Sequence, residues 1–91
     1  MPEPIYKYLI TKGFRVENIG FQYLGYGIEL CIKNPYYRNK KSGLFQTIAE
    51  ANNTTVGAVK RAVRYAISNS EMQGSKPSSV IAEAMWSLSN G

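Results

Sequence analysis

The sequence predicts an all-α protein, a compact bundle of about five to six helices that contains a helix-turn-helix. Three observations carry that expectation. Apolar residues return at intervals of three and four in successive segments, polar turn-forming stretches separate those segments, and residues 49–55 have the grammar of a tight interhelical turn. With 91 residues there is room for one domain and one core, spanning 1–91.

The first segment is a short helix over residues 5–11 after Pro4, with Ile5, Tyr8 and Leu9 sharing a face and Gly13 offering a stop. The second runs over residues 19–33, where Ile19, Tyr23, Tyr26 or Gly27, and Leu30 return at helical spacing and Asn34-Pro35 forces an end. A strand is the competing reading there. Gly20, Gly25 and Gly27 weaken such a helix by up to about 1 kcal/mol each relative to Ala. Glycines tolerated at that cost mark a central helix that neighbours approach closely. Residues 34–43 then form an exposed polar loop carrying three basic residues, Arg38, Lys40 and Lys41. Ser42 is expected to cap a third helix through about residue 52, and Thr54 or Thr55 a fourth over residues 56–69. A loop containing Gly74 and Pro77 leads to a fifth helix over residues 79–88, with Ile81, Met85 and Leu88 on one stripe.

The third and fourth helices carry the functional signal. A helix-turn-helix needs a small residue where the helices meet, a residue tolerant of positive φ in the turn, and apolar residues that lock the pair. Ala49, Asn53 and the pair Ile48 and Val59 supply these in turn. On the fourth helix Val56, Val59, Val63 and Ile67 fall on one narrow stripe, which must be buried. The opposite side aligns Gly57, Arg61, Arg64 and Ser68, flanked by Lys60 on one edge and by Ala58 and Tyr65 on the other. No acidic residue interrupts it before Glu71. Small residues near the N-terminus let a backbone approach DNA, and arginines one turn apart reach base edges or phosphates. A solvated basic face is the bland competitor, and the turn grammar beside it decides for DNA. Lys40, Lys41 and Ser42 at the start of the third helix suit DNA phosphates, as do Thr54 and Thr55 before the fourth. Arg38 is a weaker candidate, and Tyr36 and Tyr37 are expected to close the edge of the core.

Composition narrows the function further. A net charge of +5 and a pI near 9.5 fit an anionic partner. Histidine is absent, which removes Ser-His-Asp and Cys-His catalysis. The six carboxylates are all glutamates scattered along the chain, and Cys31 is expected to be a small buried hydrophobe. The expectation is therefore no catalytic residue, no metal site and no cofactor. The opening Met-Pro-Glu-Pro does not read as a signal peptide and no run of apolar residues approaches a membrane span, so a cytoplasmic protein is expected.

Together these residues resemble a known family. IGFQYL at 19–24, LFQTIAEANNTTVGAVKRAVRYAI at 44–67 and KPSS at 76–79 are similar to the C-terminal DNA-binding effector domain of stage zero sporulation protein A, the sporulation response regulator of endospore-forming bacteria. The NTT turn followed by V-x-R-A-[IV]-R-x-A-I is the specific part. The resemblance implies a six-helical domain whose recognition helix enters the major groove of a short DNA box, with two copies on tandem boxes. It also implies base or backbone reading by Lys60, Arg61, Arg64 and Tyr65. The family pattern has an acidic residue at the position of Lys60 and a histidine at that of Tyr65, which implies a different base preference here. The link over residues 69–77 is shorter than the family's, which bears on the sixth helix and on the dimer contact. These residues hold no phosphoacceptor receiver domain, and a stand-alone relative or a piece of a larger regulator, binding constitutively, is expected.

The partners to expect are double-stranded DNA, a second copy of the chain through Met85, Trp86 and Leu88, and RNA polymerase. The alternative is a small helical protein-interaction adaptor that docks a partner through its tyrosine-rich second helix and Trp86, with no nucleic-acid role.

Overall fold

Helix formation begins at the third residue of the chain. The structure, a computed structural model, describes residues 1–90, the side chains of Lys41, Ser42 and Asn90 excepted. Five α-helices and one 3-10 turn are present among the described residues: α1 (Glu3–Thr11), α2 (Ile19–Lys33), the 3-10 turn (Pro35–Arg38), α3 (Lys41–Ala51), α4 (Val56–Ser68) and α5 (Pro77–Asn90).

Pro4 lies inside the first turn of α1, where a missing N–H costs nothing, so the helix starts two residues earlier than the pattern suggests. It buries Ile5, Tyr8 and Leu9 as expected. Gly13, at φ +81°, closes it: its N–H donates to Ile10 O and the Phe14 N–H to Leu9 O, both at 3.0 Å. That pair of bonds is a Schellman cap, and it folds Phe14 back onto Leu9 in the core. The Tyr8 hydroxyl is buried there without a hydrogen-bond partner, and burial, helped by nearby Glu83, pushes its pKa up to about 12.

Helix α2 is the axis of the bundle and touches every other helix. Its expected buried stripe needs correction. Phe21, Leu24, Ile28 and Cys31 form the buried line, with Tyr23, Gly20, Gly25 and Gly27 also covered, whereas Ile19 is 55% exposed and Tyr26 and Leu30 are half-buried. A helix surrounded by neighbours has no single apolar stripe to read. Gly20 shows why the glycines are there: a Cβ on it would collide with the Ala62 carbonyl oxygen of α4 and stand 2.8 Å from the Ala66 Cβ. Burial also raises the pKa of the Cys31 thiol, which is packed in the core.

The loop expected over residues 34–43 is partly ordered. Asn34 Oδ1 accepts from the Tyr36 N–H at 3.1 Å and starts the 3-10 turn, and Arg38 Nε donates to Cys31 O at 3.3 Å. Tyr37 closes the core edge, its hydroxyl 3.1 Å from Thr47 Oγ1, but Tyr36 is 59% exposed and rests edge-on against Tyr37. Helix α3 starts at Lys41 with Lys40 in the capping position and no side-chain cap, so Ser42 is the second residue of the helix and does not cap it. On α5, Pro77 occupies the first turn, where its fixed φ suits a helix start, and the helix therefore begins two residues before Ser79. Val80, Ile81 and Ala84 are buried, Met85 and Leu88 half-buried, and Trp86 is 69% exposed.

Candidate nucleic-acid interface

The turn between α3 and α4 is built by three residues. Asn53 adopts φ +55°, the only positive φ of a non-glycine residue among those described, and the Thr54 N–H donates to Ala49 O at 2.9 Å. The amide bond to Ala49 turns the chain, and the small Ala49 side chain, 3% exposed, lets α4 pass close by. Ile48 and Val59 are both buried and join the two helices to the core. Of the two threonines offered as caps, Thr55 serves: its Oγ1 accepts from the Ala58 N–H at 3.1 Å. Such a cap contributes about 1 kcal/mol to helix stability.

Capped there, α4 presents two unlike sides. Val59, Val63, Ala66 and Ile67 are buried and Val56 is half-buried. Gly57, Lys60, Arg61, Arg64, Tyr65 and Ser68 are all exposed, so the structure brings the six residues expected on this helix onto one surface. Tyr65 keeps 63% of its area in solvent, a costly exposure for an aromatic ring. The Ser68 Oγ donates to Tyr65 O at 2.7 Å, which leaves its lone pairs outward. A Cβ on Gly57 would meet only Arg61 Nη1, at 3.4 Å, so the Arg61 guanidinium lies back over Gly57 toward the N-terminal end of α4. Lys60 leans the other way, its Nζ 5.8 Å from the centre of the Phe45 ring.

None of these cations is paired with a carboxylate among the described residues. The ion pairs of the described residues join Lys7 to Glu3, Lys12 to Glu83 and Lys33 to Glu29, all away from α4. Around the helix pair, Lys40 and Thr55 are exposed and Thr54 is half-buried, while the side chains of Lys41 and Ser42 lie outside the described residues. Reading the sequence alone missed Lys76, which shares a cleft with Lys60 and Arg64. No local pattern signals that proximity, because a loop and a chain reversal separate Lys76 from α4. Among the described residues no three His, Cys, Asp or Glu side chains gather in a way that could hold a metal ion, and no helix is long and apolar enough to cross a membrane.

Compared with families of known proteins, residues 5–84 match the family described as sporulation initiation factor Spo0A C terminal. The chain belongs to that family. The match to the Spo0A C-terminal family runs from α1 into α5 and includes the whole α3–turn–α4 unit. Members of the Spo0A C-terminal family are DNA-binding effector domains of transcription regulators, and membership makes this chain a DNA-binding regulatory domain. Comparisons with curated proteins and with solved structures returned no match. The sixth helix that the resemblance implied is absent among the described residues: the link from α4 to α5 contains turns only, held by Ser70 Oγ to Ile67 O at 2.8 Å and by the Glu71 N–H to Lys12 O at 2.9 Å.

Proposed function

We propose that the chain binds double-stranded DNA sequence-specifically through a helix-turn-helix formed by α3 and α4, and acts as a bacterial transcription regulator in the cytoplasm. The observation that carries this reading is the exposed side of α4: three unpaired cations, a glycine and an aromatic ring, with no carboxylate among them, opposite a buried valine stripe. With α4 in the major groove, Arg61 and Tyr65 face base edges, Lys60 and Arg64 reach the flanking backbone, and Gly57 and Ser68 let the helix backbone sit close. Lys40, Lys41 and Ser42 at the start of α3, with Thr54 and Thr55 at the turn, meet the phosphates. One recognition helix reads only a few base pairs, too few to find a site in a genome, so two copies act on tandem boxes, with RNA polymerase as the further partner.

Titrating the protein against a duplex selected from a random library, over a series of salt concentrations, tests this. Affinity is expected to fall steeply with salt. Lys40→Ala and Lys41→Ala should each weaken binding to selected and scrambled duplexes alike and reduce the log-log salt slope by about 0.9. Unchanged slopes in both would move the α3 start away from DNA.

Gly57 supports the same reading. A glycine in the first turn of a helix still weakens it relative to Ala, by less than the roughly 1 kcal/mol of a helix interior, and nothing inside the protein needs its missing Cβ. Gly57→Ala is therefore expected to raise the denaturation midpoint while lowering affinity for the selected duplex. An affinity at or above that of the wild type would show that the helix does not approach DNA at this residue.

A second reading, as an interaction adaptor, is favoured by one observation. Trp86 borders an apolar groove of about 390 Å³ lined also by Tyr37, Leu44, Ile81 and Met85. Binding through that groove would be nearly indifferent to salt, and the same titration separates the two.

A further inference from the structure

Beside the exposed side of α4 lies a cleft of about 540 Å³, between Phe45 of α3, Lys60 and Arg64 of α4, and the 74–78 segment that leads into α5. Lys60, Arg64 and Lys76 line it, and no carboxylate does. All three cations are exposed and outside the ion pairs of the described residues. Like charges gathered without a counter-ion repel one another, so the arrangement favours an anion in the cleft. The start of α5 adds little of its own. Pro77 has no N–H, and the Ser79 N–H is taken by the Lys76 carbonyl at 3.0 Å. The attraction therefore comes chiefly from the three side chains, with the Ser78 hydroxyl and N–H beside them.

Orientation divides the cations of α4 into two sets. Lys60, held over the Phe45 ring, is turned into the cleft with Lys76, whereas the Arg61 guanidinium lies over Gly57 at the end of α4 that leads into a groove. Lys60 and Arg64 belong both to the cleft and to the exposed face. An anion spread along α4 thus runs continuously into the cleft.

We infer that the cleft holds the sugar-phosphate backbone of one DNA strand at the edge of the groove that α4 enters, with Lys76 and Lys60 as phosphate contacts and Arg61 left to read bases. This rests on the DNA-binding reading above. A phosphodiester strand suits both characters of the cleft, with its charge toward the lysines and its deoxyribose edges toward Phe45 and Pro77. Lys76 extends the contact surface beyond the helix pair, onto the loop that links α4 to α5.

The test uses the full chain, the selected duplex and a scrambled duplex, followed by fluorescence anisotropy between low and moderate salt. Lys76→Ala should lose affinity several-fold and equally on both duplexes, with the salt slope reduced by about 0.9. Lys76→Arg should restore most of both. Arg61→Ala should lose affinity chiefly on the selected duplex. An unchanged affinity and slope for Lys76→Ala, while Arg61→Ala still loses preference, overturns the inference and leaves the DNA reading standing. A Lys76→Ala loss confined to the selected duplex would make Lys76 a base contact and also overturns it. Inorganic phosphate should compete no better than chloride at equal ionic strength; selective displacement by phosphate would mark a small-anion site instead. A wild-type chain that binds neither duplex overturns both readings.

Discussion

Arg61→Ala is expected to remove about 1 to 3 kcal/mol of discrimination between a selected duplex and its scrambled counterpart, the amount a bidentate arginine contributes at a guanine. Its guanidinium lies over Gly57, at the end of α4 that leads into a groove in the proposed complex, and it is in none of the ion pairs of the described residues. Arg64, one turn later and on the wall of the neighbouring cleft, is expected to lose affinity on both duplexes when changed to Ala. Parallel titrations of the two variants check this. Equal losses for Arg61→Ala on both duplexes would make it a phosphate contact, and no loss on either would remove α4 from the interface.

The largest effect on stability is expected at Gly20. A methyl group there would run into the carbonyl of Ala62, a backbone atom that cannot swing aside, with the Ala66 Cβ close behind. Gly20→Ala should cost about 1 to 3 kcal/mol, as overpacking in a well-filled core does. The damage should extend to DNA binding, because α4 must move off α2 to make room and carries with it the side chains proposed to face DNA. Gly25→Ala is the contrast. There the intruding methyl meets only the flexible end of Met1, which can move away, so stability should change by less than about 1 kcal/mol in either direction. Denaturant unfolding with a common slope compares them. A wild-type midpoint for Gly20→Ala would mean that α2 and α4 do not approach this closely.

How far the sequence led depends on whether the deciding contacts are local. The bounds of α2 follow from Asn34-Pro35 and its helical spacing, and the turn at Asn53 and the cap at Thr55 follow from backbone preferences of single residues. Each of these is settled within about four residues. The two-sided character of α4 was legible for the same reason, since one flank meets the core and the other meets solvent. What local pattern could not settle is which side of α2 is buried, because a helix enclosed by neighbours makes apolar periodicity uninformative, and glycine placement relative to α4 decides instead. Helix α5 starts two residues before the spacing predicts because Pro77, a breaker in mid-helix, is at home in a first turn. Ser42 has the side chain of a cap, but the backbone already turns helical at Lys41. Lys76 reached the candidate surface only when the loop over residues 69–76 had been folded.

The division of charge within the fold also bears on how quickly the protein finds its target. Three glutamates, Glu3, Glu29 and Glu83, are engaged with Lys7, Lys33 and Lys12, whereas the cations of α4 and Lys76 have no such partners among the described residues. Four of the eleven basic residues, Lys60, Arg61, Arg64 and Lys76, thus lie on α4 or beside it outside the ion pairs of the described residues. In the field of a polyanion such a particle turns before it touches, so that more of its diffusional encounters arrive with α4 leading. Once there, contacts made mainly to phosphates are nearly equivalent from one base pair to the next, which lets the protein slide and hop along the duplex between dissociations. The pairing of lysines with glutamates far from α4 therefore shapes the search, leaving the arginines to decide only where it stops.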